Sequence, residues 1–400
     1  MSSIPFYLSL AFVFTIPWES AVTLGRMGTL TRAVGMCTVA IWFGVSLLQR
    51  NFRRPHLFHA AATIYIFWNI MSLYWTVDQS ITAARIATYI QTAAFVYILW
   101  DLYRTPQAVR AALQAYILGA YVAVGSTLSN FLHGQQIGRY DTGRFAGAGA
   151  NACELIMILA LGLPIAWHLA TTSGQSVKER LLQSLNYIFI PASLFAMTLT
   201  GTRTALLVVI PAVFYIAGTT GRIRPLYRPA MFLAFLVVLF IAKGHIPQAT
   251  FERLSTIGSS IEQKDLDGRV GLWRESLRTF SDHPILGIGS GALCSPRELG
   301  TVAHNTFISV LTEQGLVGFL LFSFLLILVF YYALNQPGKF SGLWVTLLLM
   351  WCIGVSTVSW ENTKPTWLFF GLVVISAHCF PERMESDERL QMETQSSFSR

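Results

Sequence analysis

Residues 304–333 read HNTFISVLTEQGLVGFLLFSFLLILVFYYA, and Glu313 is the single acidic or basic side chain in that segment apart from the histidine that opens it. A run of about 20 apolar residues is long enough to cross a bilayer as a helix. The whole chain is 54% hydrophobic and 12% charged, whereas soluble domains carry about 25% charged residues. The sequence therefore predicts an all-α polytopic membrane protein.

Eleven further apolar segments accompany this one, so we predict about twelve transmembrane helices. Their approximate bounds, with that of the segment above, are 4–24, 30–48, 58–75, 82–100, 111–131, 151–170, 184–200, 204–218, 230–243, 304–333, 341–359 and 363–380. The first contains Pro17, Trp18 and Glu19 and has no basic region before it, which favours a span over a cleaved signal peptide. The predicted organisation is spans one to nine in 1–243, a polar loop in 244–303, spans ten to twelve in 304–380, and a short polar tail in 381–400.

Basic residues predict the orientation of the spans. The short loops on one side hold eleven lysines and arginines, whereas the alternate short loops hold five. Short loops rich in Lys and Arg stay in the cytoplasm, so the first set and both termini are predicted to be cytoplasmic. The long loop 244–303 then faces outward, because long loops cross the membrane largely regardless of their charge.

Arginine is preferred to lysine throughout the chain, by 23 to 5, and the preference persists on the outward side. A guanidinium group presents a planar fork of donors that matches phosphate oxygens two at a time. As a set, the outward arginines favour an anionic, phosphorylated substrate; for any single one, contacts with phospholipid headgroups or ion pairs are the alternative. Arg32 and Arg85 lie inside apolar segments, where each is either functional or able to snorkel to the interface.

The long loop contains a predicted amphipathic helix at residues 269–280. Its apolar residues recur at helical spacing and fall on one face: Val270, Trp273, Leu277 and Phe280. Asp282-His283-Pro284 should end this helix, since proline disfavours helical backbone at the residue before it. The following GIGSG (287–291) predicts a turn and is not a dinucleotide fingerprint, because no strand precedes it.

His304 lies where the tenth span begins. An imidazole has a pKa of about 6.5, and beside arginines it should stay neutral, which suits a general base. An ordinary capping or interfacial histidine is the alternative. Asn305 adds a neighbouring polar group, and Glu313 is either part of the same site or a buried structural carboxylate. The five cysteines show no disulfide framework and no metal-binding spacing, so we expect no metal and no cofactor.

Three patches resemble, in the same order, the bacterial O-antigen ligase and O-antigen polymerase superfamily. They are RFAGAGANACELIMILALGLP (144–164), LTGTRTALLVV (199–209), and RVGLWRESLRTFSDHPILGIGSGAL (269–293) with AHNTFISVLTEQGLVGFLLF (303–322). The third is the most specific, because it combines R-x3-W, HP-x-LG-x-G, HN-x-(F/Y) and E-x-G-L-x-G. One dominant outer loop makes the chain look more like a ligase than a polymerase.

The resemblance implies a GT-C-like, metal-independent glycosyltransferase in the Gram-negative inner membrane, and single-displacement chemistry would make it inverting. Such an enzyme moves a polysaccharide from undecaprenyl diphosphate to a sugar of the lipid A-core at the periplasmic face, and it has no nucleic-acid partner. Matched to the motifs, His304 is the expected general base, and Asn305 would orient it or a sugar. The expected diphosphate ligands are Arg139, Arg144, Arg203, Arg269 and Arg274. A polymerase of the same superfamily and an anionic-lipid transporter are the alternatives; a transporter predicts charges at span centres and paired broken helices.

Overall fold

The computed structural model describes residues 3–25, 28–50, 52–137, 143–172, 176–222 and 269–379. The regular elements of this part of the chain are all helices, with an isolated β-bridge between Thr23 and Thr29. The helices are α1 Ser3–Thr15, α2 Leu30–Gln49, α3 Leu57–Met71, α4 Gln79–Leu102, α5 Pro106–Leu132, α6 Ala152–Thr171, α7 Val177–Leu199, α8 Thr204–Thr219, α9 Arg269–Asp282, α10 Thr306–Leu334, α11 Gly338–Val355 and α12 Lys364–His378.

Eleven of the twelve predicted spans coincide with a helix of this set. The ninth, at 230–243, lies outside the described residues, as do residues 244–268 of the polar loop and the tail at 381–400. Within the described ranges, eight helical segments are long and apolar enough to cross a membrane. The chain is therefore a multi-pass helical membrane protein, and the count of twelve spans stays a prediction.

The residues predicted to form an amphipathic helix, 269–280, are helical in the structure and belong to α9. It ends at Asp282, immediately before His283 and Pro284. Its packing face differs in detail from the predicted one, because Ser276 is the buried position and the Leu277 side chain is 43% exposed. Thr312 Oγ1 donates to the Ser276 carbonyl at 3.1 Å, which fixes the middle of α9 against α10.

Two helices occupy the centre of the bundle. Every residue from Leu155 to His168 in α6 is buried, and so is every residue from Lys364 to Ser376 in α12. The loop 143–151 leads into α6, and the loop 356–363 leads into α12. Because neighbouring helices enclose α6 and α12, the positions at which these two loops join the bundle are fixed.

Helix α10 is interrupted at Gly315, whose backbone has φ 66° and ψ −170°. Only glycine adopts this conformation readily. The loop that follows α9 fills the break: Leu316 N donates to Pro284 O at 2.9 Å, and Gly289 N donates to Glu313 O at 2.8 Å. Unpaired backbone groups are costly at membrane depth. The hydrogen bonds between residues 284–289 and the break in α10 form a junction, called the splice below. This junction explains why the HP-x-LG-x-G and E-x-G-L-x-G motifs occur together.

The same loop is also attached to the last turn of α3 and to the connection between α3 and α4. Trp75 Nε1 donates to Leu286 O at 3.1 Å, and Ser290 donates through its hydroxyl to Asn69 Oδ1 at 2.7 Å. Glu313 is 3% exposed and accepts a hydrogen bond from Gly291 N at 2.7 Å. The glycine turn is therefore buried and bonded on two sides, and Glu313 serves as a structural carboxylate of this splice.

Candidate functional site

His304 lies between the splice and the first turn of α10, with a left-handed backbone at φ 50°. That conformation is uncommon outside glycine and costs of order 1–2 kcal/mol for an L-residue, so the neighbouring contacts must hold it. On its N-terminal side, Trp273 Nε1 of α9 donates to the Ala303 carbonyl at 3.0 Å. The histidine is thus fixed to α9 by the residue immediately before it.

Two residues that follow His304 also fix its position. Together with Trp273 and Ala303, Asn305 and Thr306 form the mount of His304. Asn305 is the N-cap of α10: its Oδ1 accepts from Ile308 N at 3.2 Å, and its Nδ2 donates to Ser356 O at 3.2 Å. Thr306 is buried, and its hydroxyl accepts from Trp360 N at 2.8 Å. Both polar ends of the Asn305 amide therefore serve the fold, and its expected role toward His304 or a sugar stays a prediction.

A buried ion pair lies next to Thr306 and supports the mount. Arg85 Nη1 and Glu361 Oε1 are 2.8 Å apart, and their side chains are 14% and 1% exposed. The other oxygen of Glu361 lies 3.3 Å from Thr306 Oγ1. Arg85 was predicted as functional or interfacial, but its partner Glu361 was not predicted, because 276 positions separate the two along the chain. The signal that was available is the presence of an arginine inside an apolar segment.

Arg269 is a cation whose charge acts on the pKa of His304. Partial burial lowers the pKa of the His304 imidazole below its ordinary value, and the positive charge of Arg269 lowers that pKa further. Arg269 Nη2 also reaches Cys153 Sγ, 3.8 Å away in the first turn of α6. The first residue of α9 therefore contacts the N-terminal end of α6, and its charge favours the neutral form of the His304 imidazole.

Arg144 and Arg203 belong to two segments that are hydrogen-bonded to each other. Arg144 donates through Nε to Thr200 O at 2.8 Å and through Nη2 to Thr202 Oγ1 at 2.9 Å. Arg203 occupies the N-cap position of α8, where the helix dipole adds partial positive charge. Arg144, in the loop before α6, is thus hydrogen-bonded to the turn between α7 and α8, and that turn also contains Arg203.

The remaining predicted ligands differ in position. Arg274 lies on an exposed face of α9, one turn beyond Arg269. Arg139 lies outside the described residues. Their roles as diphosphate ligands stay predictions, as do those of Arg144, Arg203 and Arg269.

The described residues define a multi-pass α-helical membrane protein that holds a histidine at the mouth of one helix, with arginines on neighbouring segments. Residues 188–323 match the family model described as O-Antigen ligase, which confirms the resemblance to the O-antigen ligase and polymerase superfamily. The matched region contains Arg203, Arg269, Arg274, His304 and Asn305. No curated protein matches the chain.

The pKa of His304 provides a test of the pairing with Arg269. A base must be neutral to act, so activity should fall on the acid side as the imidazole becomes protonated. In Arg269→Gln one of the two causes that depress this pKa is removed, so we expect the acid limb of the pH–rate profile to move to higher pH. The profile of kcat/KM measures this shift, and Arg278→Gln, an exposed position on the same helix, is the matched control. An acid limb that stays in place in Arg269→Gln would contradict the coupling.

Proposed function

We propose that the chain is an O-antigen ligase: it transfers an O-antigen polysaccharide from undecaprenyl diphosphate to a sugar of the lipid A-core. The observation that carries the proposal is a histidine held at the mouth of α10, with a pKa lowered by burial and by Arg269. A neutral imidazole fixed on both sides can accept the proton of an acceptor hydroxyl. The family match supports the glycan substrate.

The chemistry divides between the histidine and the arginines. His304 removes the proton as the acceptor oxygen attacks the anomeric carbon of the donor sugar. The bond from that carbon to the diphosphate oxygen breaks, and its electron pair leaves with the diphosphate. Fixed cations stabilise such developing charge in a dry site, and Arg144, Arg203 and Arg269 take this role, with Arg274 and Arg139 as further ligands. One displacement of this kind inverts the anomeric centre and requires no metal.

Orientation follows the basic loops predicted from the sequence. With the loops rich in Lys and Arg in the cytoplasm, the end of the bundle that carries His304 faces the periplasm of a Gram-negative cell. The protein is then a multi-pass protein of the inner membrane. The GT-C-like character and the span count of twelve belong to the same proposal.

The experiment separates the ligase from the polymerase. Purified protein receives lipid-linked O-antigen with or without lipid A-core, and the glycan products are separated by size. A ligase forms glycosylated lipid A-core in the first reaction and leaves the glycan unlengthened in the second; lengthening without the acceptor identifies a polymerase and overturns the proposal. A further arm with a chelator tests the metal-free chemistry, which a loss of transfer would contradict.

Arg203→Ala tests the diphosphate role in the same assay. Removing one charge-stabilising donor typically costs about 10²–10³-fold in rate, and we expect a loss of that order. Arg180→Ala is the control, because this arginine is exposed near the N-terminal end of α7, which the loop charges place on the cytoplasmic side. Equal activity of the two variants would remove Arg203 from the site.

A further inference from the structure

A groove of about 290 Å³ lies between α1, α2 and α4, apart from the segments that carry Arg144 and Arg203. Apolar and small side chains form most of its wall, among them Phe12, Gly35, Ala40, Ala94 and Ile98. Small residues at three of these positions leave the space that larger ones would fill. The groove covers residues 32 to 40 of α2, a length of about 12 Å at 1.5 Å per residue.

The groove opens toward the lipid side of the bundle. Met36 and Ile90 border it, and their side chains are 45% and 51% exposed. Met36 lies in α2, which is long and apolar enough to cross a membrane. Ile90 lies in the predicted span 82–100, so we infer that the exposed parts of both side chains face hydrocarbon. An open apolar channel in that position suits a flexible lipid chain, which can enter sideways from the bilayer.

Cations border the groove at its outward end. Arg32 in the first turn of α2 and Lys364 in the first turn of α12 are both part of the wall. Lys364 forms an ion pair with Glu19, so the three side chains together carry one net positive charge. An arginine and a lysine beside an apolar channel complement a lipid whose phosphate lies at headgroup depth.

This cationic end adjoins the mount of His304. Lys364 follows Glu361 by three residues, and Glu361 lies 3.3 Å from the Thr306 hydroxyl. Thr306 is two residues from His304. The loop 356–363, which contains Glu361 and ends just before Lys364, thus connects the α1–α2–α4 groove with the mount of His304. Arg144 and Arg203 lie on other segments of the chain, before α6 and at the start of α8.

From this arrangement we propose that the groove holds one acyl chain of a phosphorylated glycolipid, the acceptor lipid A-core, with a phosphate of that lipid at Arg32 and Lys364. The inference rests on the proposed ligase function, since a transferase that joins two lipid-borne substrates needs a place for each. The arginines near α7, α8 and α9 take the diphosphate of the donor. A groove that opens toward the lipid suits the acceptor, because a lipid with several chains stays in the bilayer and contacts the protein through part of its surface.

Direct binding tests the groove independently of catalysis. The full chain in nanodiscs is titrated with lipid A-core, with its dephosphorylated form, with phosphatidylglycerol and with lipid-linked O-antigen. Ala94→Phe fills the groove, and Ala83→Phe places the same side chain on an exposed position of α4 outside it. Arg32→Gln changes an exposed side chain and keeps the apolar wall intact.

We expect Ala94→Phe to weaken lipid A-core binding about tenfold, equivalent to 1.4 kcal/mol, while Ala83→Phe binds like the unaltered chain. Arg32→Gln should weaken binding of lipid A-core and leave binding of its dephosphorylated form unchanged. Donor binding should stay constant in all three variants. Weaker binding of lipid-linked O-antigen in Ala94→Phe would assign the groove to the donor and overturn the inference. Loss of phosphatidylglycerol binding with unchanged lipid A-core binding would make it a site for bulk phospholipid and would also overturn it.

Transfer by the unaltered chain, measured in parallel, separates the two proposals. If lipid A-core binds in the groove but no glycan is transferred, the acceptor site stands and the ligase function fails. If glycan is transferred and both Ala94→Phe and Arg32→Gln bind lipid A-core normally, the ligase function stands and the groove inference fails.

Discussion

His304→Ala is expected to lower the rate of glycan transfer by about 10²–10⁴-fold, the usual contribution of a general base. The imidazole is the titratable group at the mouth of α10 whose pKa both burial and Arg269 keep low. Without it, the acceptor hydroxyl must lose its proton to water as it attacks. The effect should appear in kcat, because the arginines proposed to hold the donor are unchanged.

Two further variants separate the base from its unusual backbone. His304→Asn keeps a residue type that tolerates the left-handed conformation but lacks a base, so it should be as inactive as His304→Ala. His283→Ala removes an exposed histidine just after α9 and should retain full activity. The measurement is single-turnover transfer to lipid A-core with saturating donor. Transfer by His304→Asn at close to the normal rate would show that the backbone conformation, and not the imidazole, is what the site requires.

The sequence predicted those parts of the fold that depend on local pattern. Long apolar runs mark spans whatever their neighbours are, and the 3.6-residue spacing around Trp273 identified α9, whose end at Asp282 was set by Pro284. His304 was located for the same reason, since it stands at an abrupt change from polar to apolar sequence. These features need no knowledge of which helices touch.

Features that depend on contacts between distant segments were not predicted. The backbone break at Gly315 and the loop around Gly287 pair with each other, and neither sequence alone reveals its partner. The break is filled by the protein's own backbone, which differs from the open, paired broken helices of a transporter. Asn305 was assigned to substrate or to His304, yet its amide caps α10 and bonds to Ser356. Only three-dimensional packing decides between such uses of a polar side chain.

Loss of Arg85 is expected to have the largest effect on stability. Removing one partner of a buried ion pair leaves the other charge unpaired in an apolar region and costs about 3–5 kcal/mol. Arg85 and Glu361 are such a pair, and Glu313 is close enough to Arg85 to interact with it electrostatically. Arg85→Met leaves two neighbouring carboxylates without their cation, whereas Glu361→Gln leaves the cation with Glu313. Arg85→Met should therefore be the more destabilising of the two.

Thermal unfolding of the purified variants in detergent measures this order, with Arg110→Met on the exposed surface of α5 as the matched control. The control should change stability by no more than about 0.5 kcal/mol. In the double variant Arg85→Met/Glu361→Leu both charges of the pair are gone, and we expect it to unfold at a higher temperature than Arg85→Met. If Arg85→Met unfolds together with the control, the ion pair does not support the fold. If instead the double variant regains stability but transfers glycan slowly, the pair acts through Thr306 to position His304, because the packing is then intact and only the support of the mount has changed.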